Sequence, residues 1–85
     1  MSAMISDETR RALSKRGFKL DDSHYHDCPA CGQHAMEQWV LRGKGGGRDV
    51  DMCNECGKSW SWRVRFGEDR EKDETFELKA FLGTP

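Results

Sequence analysis

Two short cysteine runs, Cys28-Pro29-Ala30-Cys31-Gly32 and Cys53-Asn54-Glu55-Cys56-Gly57, constrain this chain more than any other feature. A two-residue gap lets both sulfurs of a pair turn toward one point, and two such pairs supply the four thiolates of a tetrahedral zinc site. The glycine after each second cysteine can take the positive φ that keeps backbone amides directed at sulfur. The spacer, residues 32–52, runs slightly beyond the usual range for paired C-x₂-C sites and suits a hairpin better than a helix. The pattern predicts one structural Zn²⁺ held by Cys28, Cys31, Cys53 and Cys56. Disulfides of a secreted mini-protein, or a redox-active C-x-x-C, are the competing readings. Against the first, residues 1–20 carry Asp7, Glu8, Arg10, Arg11, Lys15, Arg16 and Lys19 and show no apolar run of a secretory leader. Against the second, a thioredoxin-like pair needs a βαβ context that this glycine-rich chain does not offer. No run is long enough to span a membrane. The expected setting is therefore the reducing cytoplasm, where thiols stay available to metal.

Composition sharpens that reading. The chain has 85 residues, 35% hydrophobic against 34% charged, which is one domain with little material for a core. Structural zinc contributes on the order of 10–16 kcal/mol to folding, whereas a core of this size rarely supplies more than about 3–5 kcal/mol. The expected fold is small, metal-stabilised and β-rich: a zinc ribbon with a three-stranded antiparallel sheet and a short N-terminal helix. Three regions follow from the sequence: a basic segment with the helix (1–20), the ribbon (21–66), and a charged loop with a C-terminal strand or helix (67–85).

Ser6 is placed to cap the helix, with Asp7 and Glu8 in its first turn, Lys15 and Arg16 in its last, and Gly17 as its stop. Its apolar face is thin, so docking is expected through Ile5, Leu13, Phe18 and Leu20. Arg10, Arg11, Lys15 and Arg16 read as a solvated face whose charges match the helix dipole. Met36 to Arg42 reads as a strand, Gly43-Lys44-Gly45-Gly46-Gly47 as a flexible tip that breaks regular structure, and Arg48 to Met52 as the returning strand. On that strand Val50 and Met52 share one face, Asp49 and Asp51 the other. Trp60, Trp62, Val64 and Phe66 alternate with Ser61, Arg63 and Arg65, the clearest period-two pattern present. Residues 67–74, rich in Glu68, Asp69, Glu71, Asp73 and Glu74, read as a solvated loop. Phe76, Leu78, Ala80 and Leu82 share a parity, which favours a fourth strand over a helix ending at Gly83, with Glu77 facing Arg63 or Arg65.

The first knuckle, the long hairpin, and the run Met52-Cys53-Asn54-Glu55-Cys56-Gly57-Lys58-Ser59-Trp60 carry a resemblance. Residues 28–66 resemble the zinc ribbons of the transcription machinery, especially the C-terminal ribbon of transcript-cleavage elongation factors and the small ribbon subunit of RNA polymerase II. The resemblance implies structural zinc and a transcription-related accessory factor that binds nucleic acid, RNA polymerase, or both. One departure matters. Cleavage factors carry an adjacent acidic pair at the hairpin tip, and here Lys44 and Arg48 stand there among glycines, while Asp49 and Asp51 project from one face of a strand. Transcript cleavage is not expected, and neither is other enzyme activity or a small-molecule substrate. Four protein ligands leave no open metal position, and no nucleophile and base stand at a recognisable spacing. A C-x-x-C-G knuckle with a histidine just upstream is also similar to the zinc-binding domain of phage-type primases, which would make the chain an accessory module of a catalytic partner.

A formal net charge of −1 rules out a generally basic coat, so nucleic-acid contacts must come from local clusters. Arg42, Lys44, Arg48, Arg63 and Arg65 are the candidates, with Gly45, Gly46 and Gly47 allowing close approach of phosphates. Trp39, Trp60 and Trp62 could stack on bases beside Arg63 and Arg65, although so small a sheet is expected to bury at least two of them. His24, His26 and His34 read as surface residues near a site already complete in cysteines. The rival to nucleic-acid binding is an adaptor that docks on a larger assembly, with the charged tail as a second contact.

Overall fold

The computed structural model describes residues 5–21, 27–65 and 70–83. Five antiparallel strands follow one another across a single sheet in chain order: β1 (Lys19–Asp21), β2 (Met36–Gly43), β3 (Gly46–Cys53), β4 (Ser59–Arg65) and β5 (Arg70–Lys72). A helix precedes the sheet, α1 (Asp7–Lys15), and another follows it, α2 (Leu78–Gly83). The three long strands lie where the sequence places them. The sheet is wider than expected because three-residue strands add to both edges.

The helix α1 forms as its end signals dictate. Ser6 Oγ accepts from the Thr9 amide at 3.1 Å, Asp7 and Glu8 occupy the first turn, and Gly17 takes φ 94° just past the end. Leu13 is fully buried, and with Ile5 and Phe18 it packs on Trp39, Val50 and Met52 of the sheet. Leu20 does not join them: it is 46% exposed on the edge strand β1. Polar contacts complete the docking. The Arg10 guanidinium binds both carboxylate oxygens of Glu37, and Trp39 Nε1 donates to the same carboxylate at 3.2 Å. The Arg10 hydrogen bond comes first among the influences that hold the Glu37 carboxyl below its ordinary range.

Strand alternation divides the sheet into two unlike faces. Register pairs Trp39 with Val50, Val50 with Ser61, Arg48 with Arg63, and Arg63 with Glu71, so these residues share the face that both helices cover. The opposite face carries Val40, Asp49, Trp62 and Lys72 in one row, and Gln38, Asp51 and Trp60 in another. The apolar stripe of β4 therefore points away from the helix-covered core. Only Trp39 is buried, where at least two tryptophans were expected in the core; Trp60 and Trp62 are half-buried on the helix-free face.

Two other expectations are corrected. Residues 75–82 form no strand. Leu78, Phe81 and Leu82 recur at helical spacing and pack with Phe76 against the core, while Ala80, which the strand reading placed inward, is exposed. The charged run supplies the fourth strand's partner instead. Arg70–Lys72 pairs with β4, placing Glu71 rather than Glu77 opposite Arg63, and Glu71 also binds Arg65 at 3.1 Å. Phe66, Glu68 and Asp69 lie outside the described residues.

The glycine run is not a break. Gly43 pairs with Gly46 and Gly47 with Arg42, so only Lys44 and Gly45 form the turn. Gly45 takes φ 86°, with open space around it. A Cβ on Gly47 would overlap the Leu41 carbonyl oxygen, so the residue serves the close approach of two strands. Gly45→Ala is expected to cost about 1 kcal/mol through backbone strain. Gly47→Ala is expected to cost about 3 kcal/mol, since the main chain must separate. Urea unfolding of the two variants checks the order.

The Arg10–Glu37 contact gives a prediction with a definite sign. A depressed folded-state pKa stabilises above the ordinary glutamate range and loses that contribution as pH falls through the lowered value. The stability gap between the native chain and Glu37→Gln should close on acidification, as read by denaturant unfolding at stepped pH.

Candidate metal centre

Both knuckles sit at one end of the three long strands. The first precedes β2, the second joins β3 to β4, and Cys53 is the last residue of β3. Their backbones repeat the same hydrogen bonds. The Cys28 amide donates to the Gln33 carbonyl at 2.9 Å, and the Cys53 amide to the Lys58 carbonyl at 2.9 Å. The Gly32 amide donates to the Cys28 carbonyl at 2.8 Å, and the Gly57 amide to the Cys53 carbonyl at 3.0 Å. Gly32 and Gly57 take φ 76° and 78°, a conformation that disfavours any side chain. Amides point at sulfur as expected: Ala30 to Cys28 at 3.4 Å, and Glu55 and Cys56 to Cys53 at 3.4 and 3.5 Å.

The four sulfurs of Cys28, Cys31, Cys53 and Cys56 all lie within 4.8 Å of one another, and these cysteines form no disulfide. Across the knuckles, Cys28 meets Cys56 at 3.6 Å and Cys31 meets Cys53 at 3.6 Å. A tetrahedron with metal–sulfur bonds of about 2.3 Å has edges of about 3.8 Å. The cluster thus fits one ion bound by four thiolates. Met36, Ala35 and Trp60 pack around it and shield one side.

Protonation favours the same conclusion. Desolvation opposes ionisation of Cys28, yet hydrogen bonds from the Cys31 and Ala30 amides and from neighbouring thiols bring it down to about 6. At Cys31 the Gln33 amide works toward ionisation, but desolvation and hydrogen bonding to the other three sulfurs push the thiol up to about 12. The Lys58 amide similarly fails to prevent a rise at Cys56. Without a cation Cys28 ionises readily while Cys31 and Cys56 resist, and a divalent ion removes that resistance.

The sequence-predicted basic residues do not form one surface. Arg42 lies on the helix-free face, 2.7 Å from the buried Asp49 carboxylate. Arg70 binds that carboxylate's other oxygen at 3.1 Å, with its guanidinium 5.0 Å from the centre of the Trp62 ring. Arg48 and Arg63 lie on the helix side. Arg48 donates to Ser61 Oγ at 2.7 Å and to Asp73 at 3.1 Å, near the Phe76 and Phe81 rings, and Arg63 reaches Asp73 at 3.8 Å. Hydrogen bonds from Thr75, then from Arg48, hold the Asp73 carboxyl below its ordinary range. Arg65 pairs with Glu71. Lys44 stands exposed at the turn, with no ion pair among the described residues. Trp60 and Trp62 share no face with Arg63 and Arg65; period-two alternation already separates them.

Asp49 and Asp51 do share one face, as expected, and Trp62 Nε1 donates to Asp51 at 3.1 Å. His34 is exposed and contacts Asp27 at 2.9 Å; His24 and His26 lie outside the described residues. Three contributors were missed. Asn54 Oδ1 accepts from the Ile5 amide at 3.2 Å and ties α1 to the second knuckle, a long-range contact with no sequence signal. Arg70 and Lys72 join the tryptophan face, and their shared parity was readable once the charged run was taken as a strand. No protein-family model, no curated protein and no solved structure matches the chain.

Because Cys31 and Cys56 resist ionisation, metal binding near neutral pH should release at least two protons. Affinity should therefore fall by about a hundredfold or more per pH unit on acidification. Calorimetry in buffers of different ionisation enthalpy measures the proton count. Cys53→Ser is expected to lose tight metal binding, as read by elemental analysis after dialysis against a weak chelator.

Proposed function

We propose that the chain is a zinc-ribbon protein with one structural Zn²⁺, acting in the cytoplasm as a transcription-related accessory factor that binds nucleic acid, RNA polymerase, or both. The observation that carries the zinc ribbon is the four-sulfur cluster built on two matching knuckles at the end of an antiparallel sheet. Zinc suits the site because a soft, closed tetrahedral thiolate set is its usual structural environment. Zinc would fix the ends of β2, β3 and β4, and with all four positions taken by protein it would supply no chemistry to a substrate.

Nucleic-acid binding draws its support from the helix-free face. Two half-buried tryptophans lie there with Arg42, Arg70 and Lys72, and Lys44 stands at the adjoining turn. Aromatic rings beside cations suit single strands, whose bases stack and whose phosphates pair with arginine and lysine. Arg48, Arg63 and Arg65 contribute less in this reading, since they lie on the opposite face from Trp60 and Trp62 and pair there with Asp73 and Glu71. That same matching favours the second reading, an adaptor docking on a larger protein assembly.

Titration of fluorescent single- and double-stranded oligonucleotides at two salt concentrations separates the readings. Lys44→Ala should weaken binding and flatten the salt dependence by roughly one unit of slope for duplex and less for single strands. Trp62→Ala should weaken single-strand binding by about 1–3 kcal/mol with little change in slope. Absence of binding by the native chain at low salt would leave the adaptor reading as the better one.

A further inference from the structure

The helix-free face carries a cavity of about 170 Å³ beside the sulfur cluster. Trp60, Trp62, Met36 and Pro29 form its apolar walls, and Asp51 and Lys72 bring one carboxylate and one ammonium to it. Drug-sized molecules take sites of about 300–1,000 Å³, so the space suits a single planar ring system. Its walls are held in place. Trp60 packs with Met36 on the cysteine cluster, and Pro29 lies inside the first knuckle between Cys28 and Cys31. Trp62 is fixed twice, since its Nε1 donates to Asp51 Oδ2 at 3.1 Å and the Arg70 guanidinium lies 5.0 Å from its ring centre. Aromatic walls fixed before a ligand arrives lose little entropy on stacking.

Charge runs one way along this face. Asp51 lies toward the knuckles, in the row of Gln38 and Trp60, and Lys72 lies in the next row with Trp62. The row beyond carries Arg42 and Arg70, joined through Gly47 and Val64, and strand rise places it about 6.8 Å past Trp62. These two arginines share the Asp49 carboxylate, which leaves one positive charge over. A nucleotide has the same polarity, with N–H donors on its base edge and an anion at its phosphate. An ammonium drawn to Asp51 would instead meet Lys72 at the cavity and two guanidinium groups beyond it, so the arrangement favours a base over a cation.

We propose, resting on the nucleic-acid reading above, that this cavity takes one guanine base of a single strand, with the phosphate toward Arg42 and Arg70. An ionised carboxylate only accepts hydrogen bonds. Guanine alone offers it two adjacent donors, N1–H and the 2-amino group. Adenine and cytosine set a ring-nitrogen lone pair beside their amino group, and uracil or thymine flanks its one N–H with two carbonyls. Each of those lone pairs faces the Asp51 charge and weakens the contact. Lys72 supplies the donor that guanine's O6 and N7 accept from. Stacking on tryptophan tolerates any base, so the preference comes from Asp51 and Lys72.

NMR titration of the full chain with guanosine, adenosine, cytidine and uridine monophosphates reads the site through the indole N–H signals of Trp60 and Trp62. Expected is saturable movement of both signals by guanosine monophosphate, with an affinity about tenfold above the other three. Inosine monophosphate, which lacks the 2-amino group, should fall to their level. Asp51→Asn should remove the preference, and unchanged sheet dispersion in its free state would show that the fold survives. No movement with millimolar guanosine monophosphate overturns the proposal, as does equal affinity for all four. Stronger binding of choline at the same signals also overturns it, because it would mark a cation pocket for a protein partner. Oligonucleotide titration judges the underlying reading separately. Strands bound without base preference, and no response to guanosine monophosphate, would sink the guanine cavity alone. A guanosine monophosphate response without strand binding would sink the strand reading and leave the cavity as a nucleotide site.

Discussion

Four thiol sulfurs held within 4.8 Å of one another are the constraint on which the rest of this structure depends. Backbone amides and neighbouring thiols favour ionisation of Cys28, while desolvation and hydrogen bonding among the sulfurs oppose it at Cys31 and Cys56. A divalent cation bound by all four would be the strongest single attraction available to so small a chain. The cluster also fixes geometry. Cys53 is at once a ligand candidate and the last residue of β3, so anything that gathers the sulfurs also sets the Met36–Cys53 end of the ladder. From that end the register runs unbroken to Gly43 and Gly46, where two residues turn the chain.

The sheet so anchored has two faces with different physics. The helix side is closed by Leu13, Phe18 and Ile5 over Trp39, Val50 and Met52, and toward β5 by the α2 segment. There the core is partly polar: Ser61 is fully buried, Arg48 reaches it from β3, and Asp73 answers the charge. The half-buried Arg48 guanidinium, bonded to Ser61 on one side and Asp73 on the other, ties the C-terminal segment to the sheet. The other face has no helix among the described residues. It meets solvent with Trp60, Trp62 and Val64 moderated by the Arg42–Asp49–Arg70 cluster, a network that makes half-buried tryptophans tolerable in water.

The charged arrangement bears on function because it separates cations by availability. Arginines that looked equivalent as a list of basic residues are spread across two faces, and most are matched by a carboxylate on the neighbouring strand or in the C-terminal segment. A phosphate must compete with Asp49, Asp73 or Glu71 for them. Lys44 faces no such competitor among the described residues, and the tryptophan face offers stacking as well as charge. The functional reading thereby shifts from a basic hairpin tip toward an aromatic sheet face.

The convergence of the four cysteines, the positions of the three long strands and the N-terminal helix with its Ser6 cap were legible in the sequence, because each rests on local rules: two-residue knuckle spacing, period two, and capping chemistry. The short edge strands were not legible. Three residues carry too little pattern, and β5 is built from charged residues whose pairing partners lie on β4. The C-terminal segment misled because Phe76, Leu78, Ala80 and Leu82 satisfy a strand's parity while Leu78, Phe81 and Leu82 satisfy a helix's stripe. Packing on the core chose between them. By itself the sequence determined which four sulfurs converge and which residues alternate along each strand. Only the tertiary structure decided which side of the alternation the helices cover, because that depends on where Leu13 and Phe81 come to rest, many residues away along the chain.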